Sequence, residues 1–399
     1  MKATTLDKIA RAVQERPEQL LKAREKGGKV VGYFCSYMPE EIIYALGLIP
    51  VRLGRGGSDD LVELGGRYIG KGTCVFLRES VGLFAEGKEP FSQTCDLVAV
   101  ATSCVQMFRL AEVINHFFKV PTLVLGVPRN FYLPQGRVYF QKEVENLTRQ
   151  LEEFAGTKLD AAALKESVAL YRSIRQILLK IYDFQAADSA PISWREVFDV
   201  VHAGFYLDRA DYYRLLQELL SELTVMSAAL QHAAGDERPR ILLSGTNIPP
   251  GDTKLINLIE EAGGRIVGDD LCSGLRFISG LTVQDCSLAG VADAYLDKIP
   301  CATLPYLPSL ETDRRLENLS RLIDHYRPDG MIYHTLRFCD AFTFKAAETK
   351  RFINDKISFM EIHTEYADSD IEAIRTRIDA FIEVLEGRRR AKISKAATA

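Results

Sequence analysis

The chain has 399 residues, and its content of 47% hydrophobic and 26% charged residues is typical of a globular protein, not of a fibrous or disordered one. Lys and Arg number 50 against 54 Asp and Glu, and a net charge of -4 without a dense basic stripe argues against a nucleic-acid partner. No stretch approaches about 18 uncharged apolar residues, and the N-terminus lacks the apolar centre of a signal peptide. We therefore expect a cytoplasmic protein with no membrane partner.

The first half of the chain begins with a helix and continues as an α/β region. Residues 1–28 have the apolar spacing of an amphipathic helix that ends at Gly27 and Gly28. Residues 29–139 alternate helices with the apolar strands "KVVGYFC", "IPVRLG", "CDLVAVATSC" and "KVPTLVLGVP". Because this alternation indicates a parallel sheet covered on both faces, we predict a first α/β domain here.

The second half of the chain repeats this plan after a change of pattern. Residues 140–237 have long helical periodicity and are predicted to form a helical region. The α/β pattern restarts over residues 238–399 with the strands "RILLSG", "RIVGDDLC", "GMIYHTLRFCD" and "RFINDKISFMEIHTEY". We therefore predict two doubly wound, Rossmann-like parallel-sheet domains with a helical spacer, and a ligand in the cleft between them.

The cysteines are the strongest functional signal in the sequence. Cys95 and Cys286 are predicted to pack in the core, because free cysteine is often buried. The other six lie at strand ends or in adjoining loops: Cys35, Cys74, Cys104, Cys272, Cys301 and Cys339. The cytosol disfavours disulfides, so these six are candidate metal ligands. Their spacing contains no C-x2-4-C pair and leaves zinc and iron–sulfur clusters open.

A family resemblance favours iron–sulfur. The run "GYFCSYMPEEIIYALGLIPVRL", with "CDLVAVATSC" and "MIYHTLRFC", resembles the 2-hydroxyacyl-CoA dehydratase and benzoyl-CoA reductase family over nearly the whole chain. That family implies an oxygen-sensitive cluster and an anaerobic host. Its dehydratase subunits hold one 4Fe-4S cluster with three cysteines, whereas its double-cubane cluster proteins hold two linked 4Fe-4S cubanes with six. The excess of cysteines implies the double-cubane branch, with these ligands: Cys35, Cys74, Cys104, Cys272, Cys301 and Cys339.

The resemblance also implies partners. A separate ATP-hydrolysing iron–sulfur reductase would deliver electrons at very low potential, a small molecule would be reduced, and the chain would form a homodimer. This division of labour agrees with the lack of a P-loop in the sequence. The nearest approach, "GGRYIGKG" over residues 65–72, has Gly72 where the magnesium-binding Ser or Thr is required.

Ser36 and His334 are the candidate catalytic residues. Ser36 follows Cys35 directly and His334 precedes Cys339 by five residues, so each is placed to donate a proton beside a ligand. Further polar residues near the cysteines are candidate substrate contacts: Tyr37, Ser103, Gln106 and Arg337. For each of these side chains, the alternative is a structural hydrogen bond at a strand end. Glu40 and Glu41 are predicted to be acids of a first helical turn.

Two other functions stay open. The first is an (R)-2-hydroxyacyl-CoA dehydratase subunit with one 4Fe-4S cluster, which recycles one electron to drive the loss of water. The second is a zinc-binding or metal-free α/β binding protein. Iron content separates the three, since two cubanes hold about eight irons per chain and one cubane holds about four.

Overall fold

The computed structural model describes residues 3–230, 235–304 and 313–397. The strands within these ranges are β1 (Val30–Phe34), β2 (Ile49–Arg52), β3 (Leu97–Ala101), β4 (Thr122–Leu125), β5 (Arg240–Gly245), β6 (Arg265–Asp270), β7 (Gly330–Leu336) and β8 (Ser358–Thr364). They form two four-stranded sheets, ordered β2-β1-β3-β4 and β6-β5-β7-β8. Every neighbouring pair is parallel.

The sheets confirm the predicted α/β class. Strands β1, β3, β5, β6 and β7 are buried along their whole lengths, as expected for parallel strands covered on both faces. Val31 of β1 pairs with Leu97 of β3, and Ile241 of β5 pairs with Gly330 of β7. The strand order is the same in both sheets, so corresponding strands of the two halves end at corresponding places.

Helices cover both sheets and form the stretch between them. The described residues contain α1 (Thr4–Glu25), α2 (Glu40–Ala45), α3 (Asp59–Gly65), α4 (Val75–Glu86), α5 (Pro90–Thr94), α6 (Val105–Phe118), α7 (Pro134–Ala155), α8 (Ala161–Asp183), α9 (Trp194–Ala203), α10 (Arg209–Ala229), α11 (Lys254–Glu261), α12 (Leu275–Ile278), α13 (Leu288–Asp297), α14 (Arg314–Tyr326), α15 (Asp340–Ile353) and α16 (Ile371–Ala397). None of these helices has the length and apolar character that crossing a bilayer requires.

One late helix packs on the first half of the chain. Helix α13 contacts α7 through the Arg137 guanidinium, which lies 2.9 Å from Asp293 and 2.7 Å from Asp297. Val291 and Tyr295 of α13 join the same apolar cluster as strand β1 residue Val31. The loop that follows α13 is therefore held against the first sheet, although it belongs to the second half of the chain.

Two glycines bring α3 and α4 into close contact. A Cβ at Gly65 would collide with the carbonyl oxygen of Arg78, and a Cβ at Gly82 would collide with that of Leu61. Only glycine allows backbones to approach so closely. This contact fixes the start of α4, whose N-cap residue is Cys74.

Candidate functional site

A cavity of about 350 Å³ lies where the carboxyl ends of the two sheets meet. Its lining includes residues that follow β1, β3, β5, β6 and β7, the place at which open parallel sheets bind ligands. All six candidate ligand cysteines line it: Cys35, Cys74, Cys104, Cys272, Cys301 and Cys339. The structure therefore brings the predicted thiols to one place, and their role as metal ligands stays a prediction.

Three of these cysteines, Cys35, Cys272 and Cys301, form what we call the first thiol group. The Cys35 sulfur lies 3.2 Å from the Ser103 hydroxyl. The backbone N–H of Cys301 donates to the hydroxyl of Tyr37 at 3.2 Å, which joins the Cys301 loop to the end of β1. Burial raises the pKa of the Cys272 thiol, and the charges of the Cys301 and Cys35 thiolates raise it further. The three thiols are thus electrostatic neighbours.

The other three, Cys74, Cys104 and Cys339, form the second thiol group. The thiols of Cys74 and Cys339 interact with each other, and this interaction lowers the pKa of Cys74 and raises that of Cys339. Gln106 joins the group: its Oε1 accepts from the Cys74 N–H at 3.1 Å, and its Nε2 donates to the Phe338 carbonyl at 3.3 Å. Cys104 is the N-cap residue of α6, the helix that carries Gln106.

The cavity wall is mainly apolar. Leu53, Phe76, Met107, Phe205 and Phe342 contribute to it. Such a lining excludes water and strengthens the electrostatic interactions of any charged ligand inside. Two lining side chains, Val105 and Phe344, are strongly exposed and lie at the opening.

Ser36 lines the cavity, as its place beside Cys35 predicts. Its carbonyl accepts from the Lys298 ammonium at 2.5 Å, and its Oγ accepts from the same group at 3.1 Å. Because the hydroxyl oxygen is used as an acceptor, the hydroxyl proton is free to point to a molecule in the cavity.

His334 does not belong to the cavity wall. The side chain is fully buried in β7, with Nε2 2.6 Å from the Thr364 hydroxyl and Nδ1 3.3 Å from the Thr246 hydroxyl. Burial lowers its pKa to about 3, so the ring is neutral near pH 7. Thr246 does line the cavity, so any catalytic role of His334, which stays a prediction, would act through Thr246.

The remaining predicted contacts divide between the cavity and its surroundings. Ser103 and Gln106 line the cavity. Tyr37 lies outside the wall and supports the Cys301 loop. Arg337 is exposed and pairs with Glu365 at 2.7 Å.

Cys95 and Cys286 lie outside the cavity wall. Cys95 is partly buried against the core that contains Phe34, and its thiol donates to the Phe91 carbonyl at 3.2 Å. Cys286 packs against the cluster that contains Val31. Both positions agree with the packing role predicted for them.

Three buried cations near the first thiol group have no signal in the sequence. The Nη2 of Arg52 donates to the Cys272 carbonyl at 2.9 Å, and the Arg52 guanidinium lies 4.3 and 4.6 Å from the ring centroids of Phe205 and Phe277. Arg276 and Lys298 are also buried beside the cysteines. The only local hint is "KIPC", in which Lys298 precedes Cys301 by three residues.

The donor chemistry of the cavity fits a thiolate-bound group. Zinc and iron–sulfur clusters both take thiolate ligands. Over the ranges that the structure describes, no group of three or more His, Cys, Asp or Glu side chains is arranged to hold a metal ion. An iron–sulfur cluster is a body of several atoms, so its thiolates surround it and need not meet at one point.

Comparison with known proteins gives one family and several enzyme subunits. Residues 35–385 match the family model described as 2-hydroxyglutaryl-CoA dehydratase, D-component. YjiM, a proposed dehydratase subunit of Escherichia coli strain K12, is 29% identical over 95% of this chain and 97% of its own length. One of the subunits of benzoyl-CoA reductase from Thauera aromatica is 22% identical over 92% of this chain and 93% of its own. The beta subunit of (R)-2-hydroxyglutaryl-CoA dehydratase of Acidaminococcus fermentans is 22% identical, with 94% and 97% covered.

Proposed function

The chain belongs to the 2-hydroxyglutaryl-CoA dehydratase D-component family, which confirms the resemblance noted in its sequence, and from this membership we propose that it is an iron–sulfur reductase component with a double-cubane cluster. The observation that carries the proposal is the convergence of six cysteines on one cavity. A single 4Fe-4S cluster of the kind that dehydratase subunits hold requires three cysteines, so the cavity has twice that number.

The two thiol groups suggest how the ligands divide. Gln106 links the Cys74 backbone to the residue before Cys339, and Cys104 begins the helix that carries Gln106, so these three would hold one cubane, although the charges of Cys35 and Cys301 also act on Cys104. Cys35, Cys272 and Cys301 are charge neighbours and hold the other. The bound cluster would supply electrons one at a time, at very low potential, to a small molecule in the cavity.

The residues of the chain supply the surroundings of that chemistry. The apolar wall excludes water from the bound molecule, which prevents loss of electrons to solvent protons. Ser36 offers its hydroxyl proton to the substrate while its Oγ accepts from Lys298. Burial lowers the pKa of Lys298 to about 8, so this ammonium releases a proton more readily than an exposed lysine does.

A separate ATP-hydrolysing iron–sulfur reductase is proposed as the electron donor. The sequence has no P-loop of its own, and the matched relatives are named as subunits of larger enzymes. We keep a homodimer as the expected assembly. The exposed Val105 and Phe344 place an apolar surface at the opening of the cavity, where a donor would have to approach.

Iron and acid-labile sulfide per chain, measured after anaerobic purification, test the proposal. We expect about eight irons and a brown protein. The sharper test replaces each thiol group separately with serine. Loss of the first group (Cys35, Cys272, Cys301) or of the second (Cys74, Cys104, Cys339) is expected to remove about half of the iron in each case. Cys286→Ser, outside the cavity, is the control and is expected to keep all of it.

The second candidate is a dehydratase subunit with one 4Fe-4S cluster, which the names of several relatives favour. It predicts about four irons per chain. Replacing the thiol group that holds this cluster would then remove all the iron, and replacing the other group would leave the iron content unchanged. A colourless protein without iron after anaerobic reconstitution would contradict both and favour zinc or a metal-free binding protein.

A further inference from the structure

The first thiol group is surrounded by buried cations. Arg52, Arg276 and Lys298 are 6%, 3% and 1% exposed. The charge of Arg276 acts on Cys301 and Cys272, and the charge of Lys298 interacts with the first thiol group as a whole. A low-dielectric interior makes these interactions strong, because solvent does not screen them.

The second thiol group has a different environment. Within the described part of the chain, Arg78 is the cation that acts on Cys74. The Arg78 guanidinium also interacts with an acid, because its Nη1 lies 3.8 Å from Glu63. Its Nε donates to the Thr73 carbonyl at 3.2 Å. Arg276 is likewise 3.8 Å from an acid, Asp270, but Arg52 and Lys298 are further buried cations at the first thiol group, so that end of the cavity is the more positive.

The guanidinium groups at the positive end have unused donors. The Nη1 of Arg52 and both Nε and Nη1 of Arg276 are buried without a hydrogen-bond partner. Arg276 is nevertheless fixed, because its Nη2 donates to the Gly245 carbonyl at 3.2 Å and its Nη1 lies 3.8 Å from Asp270. Arg52 is fixed by its bond to the Cys272 carbonyl and by contacts with two aromatic rings. Buried N–H groups without acceptors are costly, and Arg52 lines the cavity, so its Nη1 indicates an acceptor missing from that cavity.

We infer that Arg52 donates a hydrogen bond to a sulfur atom of the cluster half held by Cys35, Cys272 and Cys301, and that this donor and the buried charge of Arg276 together make that half the first to be reduced. The inference rests on the proposed function. A one-electron donor, such as a reduced iron–sulfur protein or dithionite, supplies the electron, and the cluster becomes more negative by one charge. Cations and N–H donors stabilise the added charge, so reduction becomes more favourable at their end of the cavity.

The test compares Arg276→Lys and Arg276→Met with the wild type, and uses Arg240→Lys and Arg240→Met as matched controls. Arg240 is also buried, but it lies at the start of β5 and donates to the carbonyls of Tyr326 and Gln185. Iron and sulfide per chain are measured first. A dithionite titration followed by electron paramagnetic resonance then gives the potential of the first reduction.

At the potential that half-reduces the wild type, we expect the ratio of reduced to oxidised cluster in Arg276→Met to fall about tenfold, with full iron content, because a buried positive charge beside the cluster is lost. Arg276→Lys keeps the charge, so its ratio of reduced to oxidised cluster is expected to lie between those of the wild type and Arg276→Met. The Arg240 variants should titrate like the wild type. Arg52→Lys repeats the test if Arg276→Met does not fold.

Each other outcome has a definite meaning. An unchanged potential in iron-replete Arg276→Met and Arg52→Lys would overturn the inference and leave the proposed function intact. An iron content that is undiminished by replacement of the first thiol group would show that no cluster lies beside Arg276, which overturns both the inference and the double-cubane proposal. An iron-free wild type would overturn the proposed function and the inference together.

Discussion

Two residues at the cysteine cavity have a backbone conformation that L-amino acids avoid. Cys35 has φ 76° and Phe338, which precedes Cys339, has φ 64°. In the left-handed region, the Cβ of a residue other than glycine approaches the following carbonyl too closely. Such strain persists where function requires a particular placement of the side chain. Here it affects the backbone at or next to one candidate ligand of each thiol group.

The strain at Cys35 predicts an unusual ranking of two substitutions. In metal-free protein, Cys35→Gly is expected to be more stable than Cys35→Ala by about 1 kcal/mol, because glycine adopts positive φ without a steric penalty. Urea denaturation measures the difference. Cys286→Gly and Cys286→Ala are the control, because φ at Cys286 is not positive. There the alanine variant should be the more stable of the two. A Cys35→Ala variant that is the more stable of the two would contradict the strain argument.

At the scale of elements, the short helix α2 is held in place by buried ion pairs. Glu40 and Glu41 do lie in its first turn, as predicted, but both are buried. Glu40 accepts from Arg209 of α10 at 2.8 Å. Glu41 pairs with Arg175 of α8 and accepts from the Tyr295 hydroxyl of α13 at 2.7 Å. These pairs join α2, and with it the Cys35 turn, to three helices distant in sequence.

We expect Glu41→Gln to destabilise the chain by about 3 to 5 kcal/mol, because it leaves the Arg175 charge buried without a counter-ion. The double variant Glu41→Gln with Arg175→Met removes that charge and should recover part of the loss. The free energy of unfolding in urea measures both. Glu153→Gln, which breaks an exposed pair with Arg149 on α7, is the control and should change little. If Glu41→Gln costs no more than this control, the buried pair does not hold α2.

At the scale of the whole molecule, the sequence was informative wherever a local pattern carried the answer. Unbroken apolar runs such as β3 identify buried parallel strands, and cysteines that follow such runs must meet at a carboxyl edge. Arg52, Arg276 and Lys298 carry no such pattern, since only the tertiary fold brings them together. The packing of α13 on the first half of the chain likewise depends on contacts far apart in sequence.

The two halves of the molecule also meet at a seam with buried acids. The Gly56 N–H donates to the Pro250 carbonyl at 3.1 Å, and a Cβ at Gly57 would lie 2.7 Å from the Gly251 oxygen. Asp252 and Glu79 are buried beside this contact. Burial is the main cause that raises the pKa of Asp252 to about 7 and that of Glu79 to about 8. The two acids therefore titrate near neutral pH, at the place where the halves touch.

Glu79 predicts how the stability of the molecule depends on pH. Its pKa rises from an ordinary value of 4.5 to about 8 because of burial and the charge of Asp252, opposed by the Ser58 and Gly57 N–H groups and the charge of Arg55. Between these two values, the folded chain keeps a proton that the unfolded chain has released. Each rise in pH within this window therefore lowers stability, by at most roughly 1.4 kcal/mol per pH unit from this group.

Glu79→Gln removes the titrating proton, so the variant should gain stability relative to the wild type as pH rises from about 6 to about 8. Thermal unfolding of the purified protein under anaerobic conditions, measured at several pH values, gives the difference. Glu372→Gln, at a side chain that is 87% exposed, is the control and should keep the slope of the wild type. A Glu79→Gln variant with the slope of the wild type would mean that Glu79 is ionised in the folded chain, and that the seam tolerates a buried carboxylate beside Asp252.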